Sequence, residues 1–398
     1  MVISNNKMVA FAYVIVSLFM FTTLELTGAE TYECTIENYG PEKHQHCVFR
    51  NVRYNHTSGS VMFKAPTNNK QPRIVFEDSE MEHLPKAFLE TFGNDLKVLI
   101  VSKCKLKSVV ITNALEELYA VDNYISKVIV HQTQKNSPLK EIHLQSNRLK
   151  DISNITRACK NARIIDLSRN QELAQESVID LSMFNGFNQL EYLLLGDVGA
   201  FYLNYDRKVT LPALTLLDLS MNTLLPSDLR LDYLHTLEKL EVLRLNDNGM
   251  TELDYAHFID MKSLKEVYLE GNSFDCQYLK TMVKFLEDNS IATPVARPAN
   301  NCEAGFMIEH DMCCKSSALS SIPKPNTARP LVPTATSYPS AANTPVFNEV
   351  DTNRVDGGAG TVTVTVKSET KSENGVTNQR VNLLFILTGI VAALMLRD

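Results

Sequence analysis

The chain has 398 residues, is 44% hydrophobic and carries a formal net charge of −7. Length and apolar content support one long core with appendages, and the acidic balance argues against a nucleic-acid surface. No nucleophile elbow, phosphate loop, zinc motif or HExxH string occurs, so neither an enzyme nor a cofactor is expected.

Residues 1–29 read as a secretory signal. Lys7 gives a short positive region, an apolar run covers 8–21, and Thr27-Gly28-Ala29 offers small residues before a cut near Glu30. A membrane anchor is the competing reading, but the run is shorter than the ~20 residues needed to span. Residues 30–70 form an N-terminal cap holding Cys34 and Cys47. Their bond would close a loop of about 14 residues and contribute roughly 3 kcal/mol in the chain-entropy model. His44, His46 and Cys47 lie together, but no further ligand completes a metal site, so they are read as a polar cap loop. Asn55-His56-Thr57 is a glycosylation sequon.

Residues 71–275 carry a recurring string. Its clear copies are LKEIHLQSNRLKDI (139–152), LTLLDLSMNTL (214–224), LEVLRLNDNGMTEL (240–253) and LKEVYLEGNSF (264–274). They fit LxxLxLxxNxL at a period of roughly 19 to 28 residues, the signature of a leucine-rich repeat solenoid. One repeat cannot bury its apolar face alone, but a stack can. Asn147, Asn222, Asn248 and Asn272 would close turns through their side-chain amides. Weaker copies carry Asn123 and Asn170; Cys104 and Val198 occupy the same position in two others, and RIVFEDSEMEHL (73–84) is a degenerate first repeat. The expected fold class is α/β, a leucine-rich repeat horseshoe of about nine repeats with disulfide-bonded caps. The uneven period predicts a convex side mixing helix turns and loops.

Side chains alternate across a strand, so residues beside the inward leucines line the concave sheet. The middle column reads Val75, Ile100, Tyr119, His143, Asp166, Leu194, Asp218, Arg244 and Tyr268. Beside it run Arg73, Val98, Glu117, Glu141, Ile164, Tyr192, Leu216, Val242 and Glu266. Tyrosine, arginine and exposed apolar residues are enriched at interfaces. Tyr192, Leu194 and Leu216, next to Asp218, Arg244 and Tyr268, make the expected docking patch. The competing readings are a solvated sheet, or use of the convex side or an edge. A second sequon, Asn154-Ile155-Thr156, falls on the turn leaving the strand of its repeat and so away from the concave sheet.

Of the eight cysteines, Cys104 and Cys159 lie inside repeats and read as small buried hydrophobes. Cys276, Cys302, Cys313 and Cys314 follow the last repeat in a cap over 276–314. Vicinal cysteines rarely bond each other, which leaves Cys276 and Cys302 each paired with Cys313 or Cys314; a Cys276–Cys302 bond with a thiol left over is the alternative. Leu279, Met282, Val283 and Leu286 stand at helical spacing, predicting a helix over 277–289 that seals the last coil.

Residues 315–373 are rich in Ser, Thr and Pro and read as an extended stalk. Residues 374–398 end in an apolar tail over 381–396. Small residues, polar spacer and apolar tail match a lipid-attachment signal at Ser372 or Asn374; a short membrane-spanning anchor is the alternative. The expected location is the outer face of the plasma membrane.

A signal peptide, nine to ten repeats and a cap ending in vicinal cysteines resemble the leucine-rich immune molecules of mosquitoes, over roughly Glu30 to Cys314. The most specific string is FDCQYLKTMVKFLEDN followed by Cys302 and Cys313-Cys314. Better-known members continue into a coiled coil and form disulfide-linked heterodimers that stabilise a complement-like thioester protein. Here a stalk and an anchor signal follow Cys314, so the chain resembles a coil-less member. The resemblance implies recognition of a protein partner: a complement-like factor, a pathogen-surface molecule or a co-receptor. Cell adhesion without an immune role is the alternative.

Overall fold

The computed structural model describes residues 29–316, apart from 41–42, 56, 66–71, 132–136 and 228. The expected signal sequence up to residue 28, nearly all of the expected stalk, and the expected attachment residues Ser372 and Asn374 lie outside the described residues.

The main sheet has eleven strands among the described residues, laid side by side in chain order. Thr35–Tyr39 pairs antiparallel with His44–Arg50, and every later neighbour is parallel. Parallel neighbours need a crossover, and here each crossover is one turn of the solenoid. From Val98–Ile100 onward the strands are three residues long. Their central residues Leu99, Leu118, Ile142, Ile165, Leu193, Leu217, Leu243 and Val267 are wholly buried. That period-two alternation sends one column into the core and leaves two facing outward.

Each strand leads into the same turn. The residue just before the asparagine position is left-handed in every coil: Asn51, Asp78, Lys103, Asp122, Ser146, Arg169, Asp197, Met221, Asp247 and Gly271, with φ between 46° and 74°. A left-handed residue that is not glycine is costly, so other bonds must hold it. The asparagines supply them. Asn147 donates from Nδ2 to Ala120 O of the preceding coil and Leu144 O of its own (both 2.9 Å), and accepts from Ile125 N. Asn170, Asn222, Asn248 and Asn272 repeat the arrangement. Asn123 accepts from Cys104 N and Leu106 N. Cys104 serves in the asparagine position through its thiol, 3.4 Å from Ser102 O. Burial pushes the thiols of Cys104 and Cys159 up to about 12, so both stay protonated.

The convex side carries short helices at Lys86–Phe92, Ser153–Ala158 and Leu231–Leu234, and tighter turns at Leu181–Phe184 and Tyr255–Asp260. It also carries short parallel strand pairs, Ser108–Ile111 with Lys127–Val130 and Val178–Ile179 with Tyr202–Leu203, beyond the expected mixture of helix turns and loops. The first coils are filled by aromatic rings, among them Phe49, Phe63, Phe76 and Phe88.

Both ends are closed. Cys34–Cys47 ties the antiparallel strand Thr35–Tyr39 over the first sheet edge, a protected end of the kind solenoids require. His44 and His46 sit on a strand rather than a loop. At the other end the helix Cys276–Asp288 is N-capped by Asp275, which accepts from Gln277 N and Tyr278 N. Leu279, Met282, Val283 and Leu286 are its buried face. Cys276 pairs with Cys314 and Cys302 with Cys313, within the expected pairings. Ala292 bridges beside Glu266 and so covers part of the last strand.

Candidate binding face

The register aligns the two expected columns residue for residue. Tyr119, His143, Asp166, Leu194, Asp218, Arg244 and Tyr268 follow one another across adjacent strands, with Tyr192 and Leu216 in the neighbouring column. Val75 and Val98, however, are buried, so the middle column opens at Ile100, and in the other column the half-buried Arg73 and Glu117 flank Val98.

The open face has three regions. The first is aromatic and acidic. Tyr119 and His143 stack, and the Tyr119 hydroxyl donates to Glu141 Oε2 at 2.8 Å. Burial, reinforced by Glu141, pushes the phenol pKa well above its ordinary value. Arg73 lies 3.5 Å from Glu117 and donates to His46 Nε2. His46 is buried, which lowers its pKa and favours the neutral ring that accepts this bond.

The middle region is apolar: Ile164, Tyr192, Leu216 and Val242 are consecutive in one column, with Leu194 alongside. Tyr192 is 41% exposed, so the centre of this column presents an aromatic ring to solvent.

The third region is charged. The Arg244 guanidinium sits 3.4 Å from Asp218 Oδ2 and 5.2 Å from the Tyr268 ring centre. Asp218 is only 7% exposed and also accepts from Ser220 N. It therefore holds Arg244 in place rather than presenting its own charge. Asp166 similarly accepts from Ser168 N.

One rim of the sheet is laced by ion pairs between coils: Lys97 and Lys140 both reach Glu116, Arg163 clamps Glu191, and Lys265 reaches Glu241. Their place just ahead of each strand is legible in the spacing, but their pairing between coils is not. Solvated pairs of this kind add little stability; they frame the apolar centre with charge.

The sequons differ in setting. Asn55 is exposed, and its Oδ1 accepts from the Thr57 hydroxyl. Asn154 lies on the helix Ser153–Ala158 rather than a turn, half-buried, with Nδ2 donating to Val128 O at 2.9 Å. Neither residue is on the concave sheet.

Among the described residues no cluster of three or more metal-ligating side chains occurs, and no helix is long and apolar enough to cross a membrane.

The parallel sheet, the asparagine turns and the disulfide-bonded caps define a leucine-rich repeat solenoid. No family model matches the chain, and no curated protein matches it. Among solved structures it is similar to the leucine-rich repeat domain of APL1B (22% identity, 80% of this chain and 99% of that chain, TM-score 0.46). It is also similar to a chain of the LRIM1/APL1C complex (19% identity, 73% and 72%, TM-score 0.40) and to human 5T4, a trophoblast glycoprotein (21% identity, 58% and 79%, TM-score 0.37). The first two are mosquito immune leucine-rich repeat proteins. They are of the group that the sequence resembles.

Proposed function

We propose that this protein is an extracellular, membrane-tethered recognition protein of innate immunity that binds a protein or pathogen-surface partner through its concave sheet. The observation that carries the reading is the apolar centre around the exposed Tyr192, bounded by Arg244 on one side and the Tyr119–His143 stack on the other. Interfaces favour this arrangement: aromatic and arginine anchors around a desolvated centre with a charged frame. The disulfide-bonded caps fit an oxidising, extracytosolic setting. The immune role draws on the sequence resemblance of the C-terminal cap, and the tether on the terminal apolar tail.

The test uses cells displaying the full chain. A purified complement-like thioester protein is titrated onto the native chain and onto Tyr192→Ala and Arg244→Ala variants. At least about tenfold weaker binding by either variant is expected for a central anchor. Equal binding by native and variant chains rules out the concave face. Homophilic clustering of the cells, with no binding, favours the adhesion reading. Phosphatidylinositol-specific phospholipase is expected to release the ectodomain; retention on a spanning segment contradicts the lipid tether.

A further inference from the structure

Four coils lack the asparagine, with Val52, Ser79, Cys104 and Val198 in its place, and at the Val198 coil a cleft opens. In regular coils the side-chain oxygen accepts from the backbone two positions past the asparagine slot of the coil before: Asn147 from Ile125 N, Asn170 from Leu149 N, Asn222 from Ala200 N. Val198 occupies that slot in its coil and has no oxygen to offer. The chain beyond Asn170 therefore leaves the regular path. Leu173 N turns back to Asn170 O, and Ala174 N reaches Val198 O. The segment then passes through two successive left-handed residues, Glu176 (φ 52°) and Ser177 (φ 63°). Neither is glycine, and such pairs persist only where the surroundings hold them.

This lip stands over a half-open cleft of about 570 Å³ on the side away from the concave sheet. Its floor reaches core residues, Ile152, Phe184 and Val198 among them. Its mouth carries the carboxylates of Asp151, Glu176 and Asp180. The one lysine there, Lys150, is ion-paired with Glu172. Asp151 and Asp180 are held in place by bonds from Ser153 N and Ser182 N. The volume lies in the range of small-molecule sites, and an apolar floor with a few fixed polar groups is their usual lining.

We propose that this cleft is a binding site for a small amphipathic cation, an apolar body carrying an ammonium or guanidinium group. The apolar part fills the floor against Phe184 and Val198, and the cationic group meets the carboxylates at the mouth. Charge complementarity selects a cation over an anion. The site is distinct from the concave face and does not depend on that assignment.

The test uses cells displaying the full chain and two photoreactive probes of equal length, a diazirine-bearing alkylammonium and its carboxylate analogue. After irradiation the labelled peptides are mapped. The ammonium probe is expected to label 173–184 and 195–204 at least about fivefold more than the carboxylate probe. Ala174→Trp, which fills the cleft, is expected to abolish that labelling. Glu176→Gln, a substitution on the exposed lip, is expected to narrow the preference for the ammonium probe. Labelling that is absent, spread evenly along the chain, centred on Tyr192, or unchanged by both variants overturns the proposal.

Discussion

Tyr119 and His143, one coil apart, lie face to face with ring centres 4.5 Å apart and planes 6° from parallel. The parallel register places them side by side, and the Tyr119 hydroxyl is fixed on Glu141. A stacked pair of this kind adds about 0.5–1.5 kcal/mol beyond burial. It also presents a rigid platform, so a partner that docks on it orders few side chains.

His143→Ala removes half of that platform without touching the core. Binding of the concave-face partner is expected to weaken about tenfold, while stability changes by less than about 1.5 kcal/mol. A binding titration on displayed protein paired with urea denaturation checks both. A large stability loss with unchanged binding would make the stack structural only.

The asparagine ladder is expected to be the costliest polar feature to disturb. Asn248→Ala strands the carbonyls of Leu219 and Leu245 and the N–H of Leu224, all buried. The expected loss is about 3 kcal/mol, since unsatisfied buried groups cost ~1–3 kcal/mol each and coils relax in part. Asn246→Ala, two residues away and outside the ladder, is expected to cost less than about 1 kcal/mol. Urea denaturation of the two variants gives the contrast; equal losses would refute the role of the ladder.

Gly271 holds the left-handed position of the last coil, with φ +74°. A Cβ there would lie 2.1 Å from Asp247 Oδ1 and 3.1 Å from the Asp247 backbone. Gly271→Ala is therefore expected to cost about 2 kcal/mol, more than the left-handed conformation alone. In an Asp247→Ala background the cost should fall towards about 1 kcal/mol. Thermal unfolding of the four proteins of this cycle reads the coupling.

The N-terminal cap should be acid-sensitive. The Arg50 guanidinium, and then the Thr35 hydroxyl, hold the Glu37 carboxyl at about 2 against an ordinary 4.5. A depressed folded-state value gives stability that is present above the unfolded value and lost as pH falls towards the folded one. The loss is thus expected between about pH 4.5 and about pH 2. Glu37 is exposed, so the effect is small and weakens with salt. Melting temperatures of native protein and Glu37→Gln should converge across that window; a constant gap would disprove the pairing.

Much of this architecture was legible because two signals reinforce each other. The LxL spacing sets which residues point inward, and the asparagine fixes where each strand ends, so both concave columns follow by counting. The strand His44–Arg50 escaped the pattern because Cys47 takes the leucine position and Val52 the asparagine position. The choice between Cys313 and Cys314 as partner of Cys276 depends on how the hairpin Phe306–Glu309/Met312–Lys315 packs on the terminal helix, which is tertiary information. The role of Asp218 as a clamp on Arg244 was hidden for the same reason: burial, not residue type, decides it. Val198 was legible as an irregular repeat, but its consequence, a strained lip over a cleft, requires the path of the backbone beyond Asn170.

The most direct test of the concave assignment is site-specific photo-crosslinking. A photoreactive amino acid replaces Tyr192 or Leu216 on the concave sheet, or Ile259, an exposed convex residue, in the full chain on cells. The cells are exposed to body fluid containing the complement-like protein and irradiated. A discrete adduct is expected from positions 192 and 216 and none from 259. An adduct from 259 alone, or none from the concave positions, would contradict the assignment.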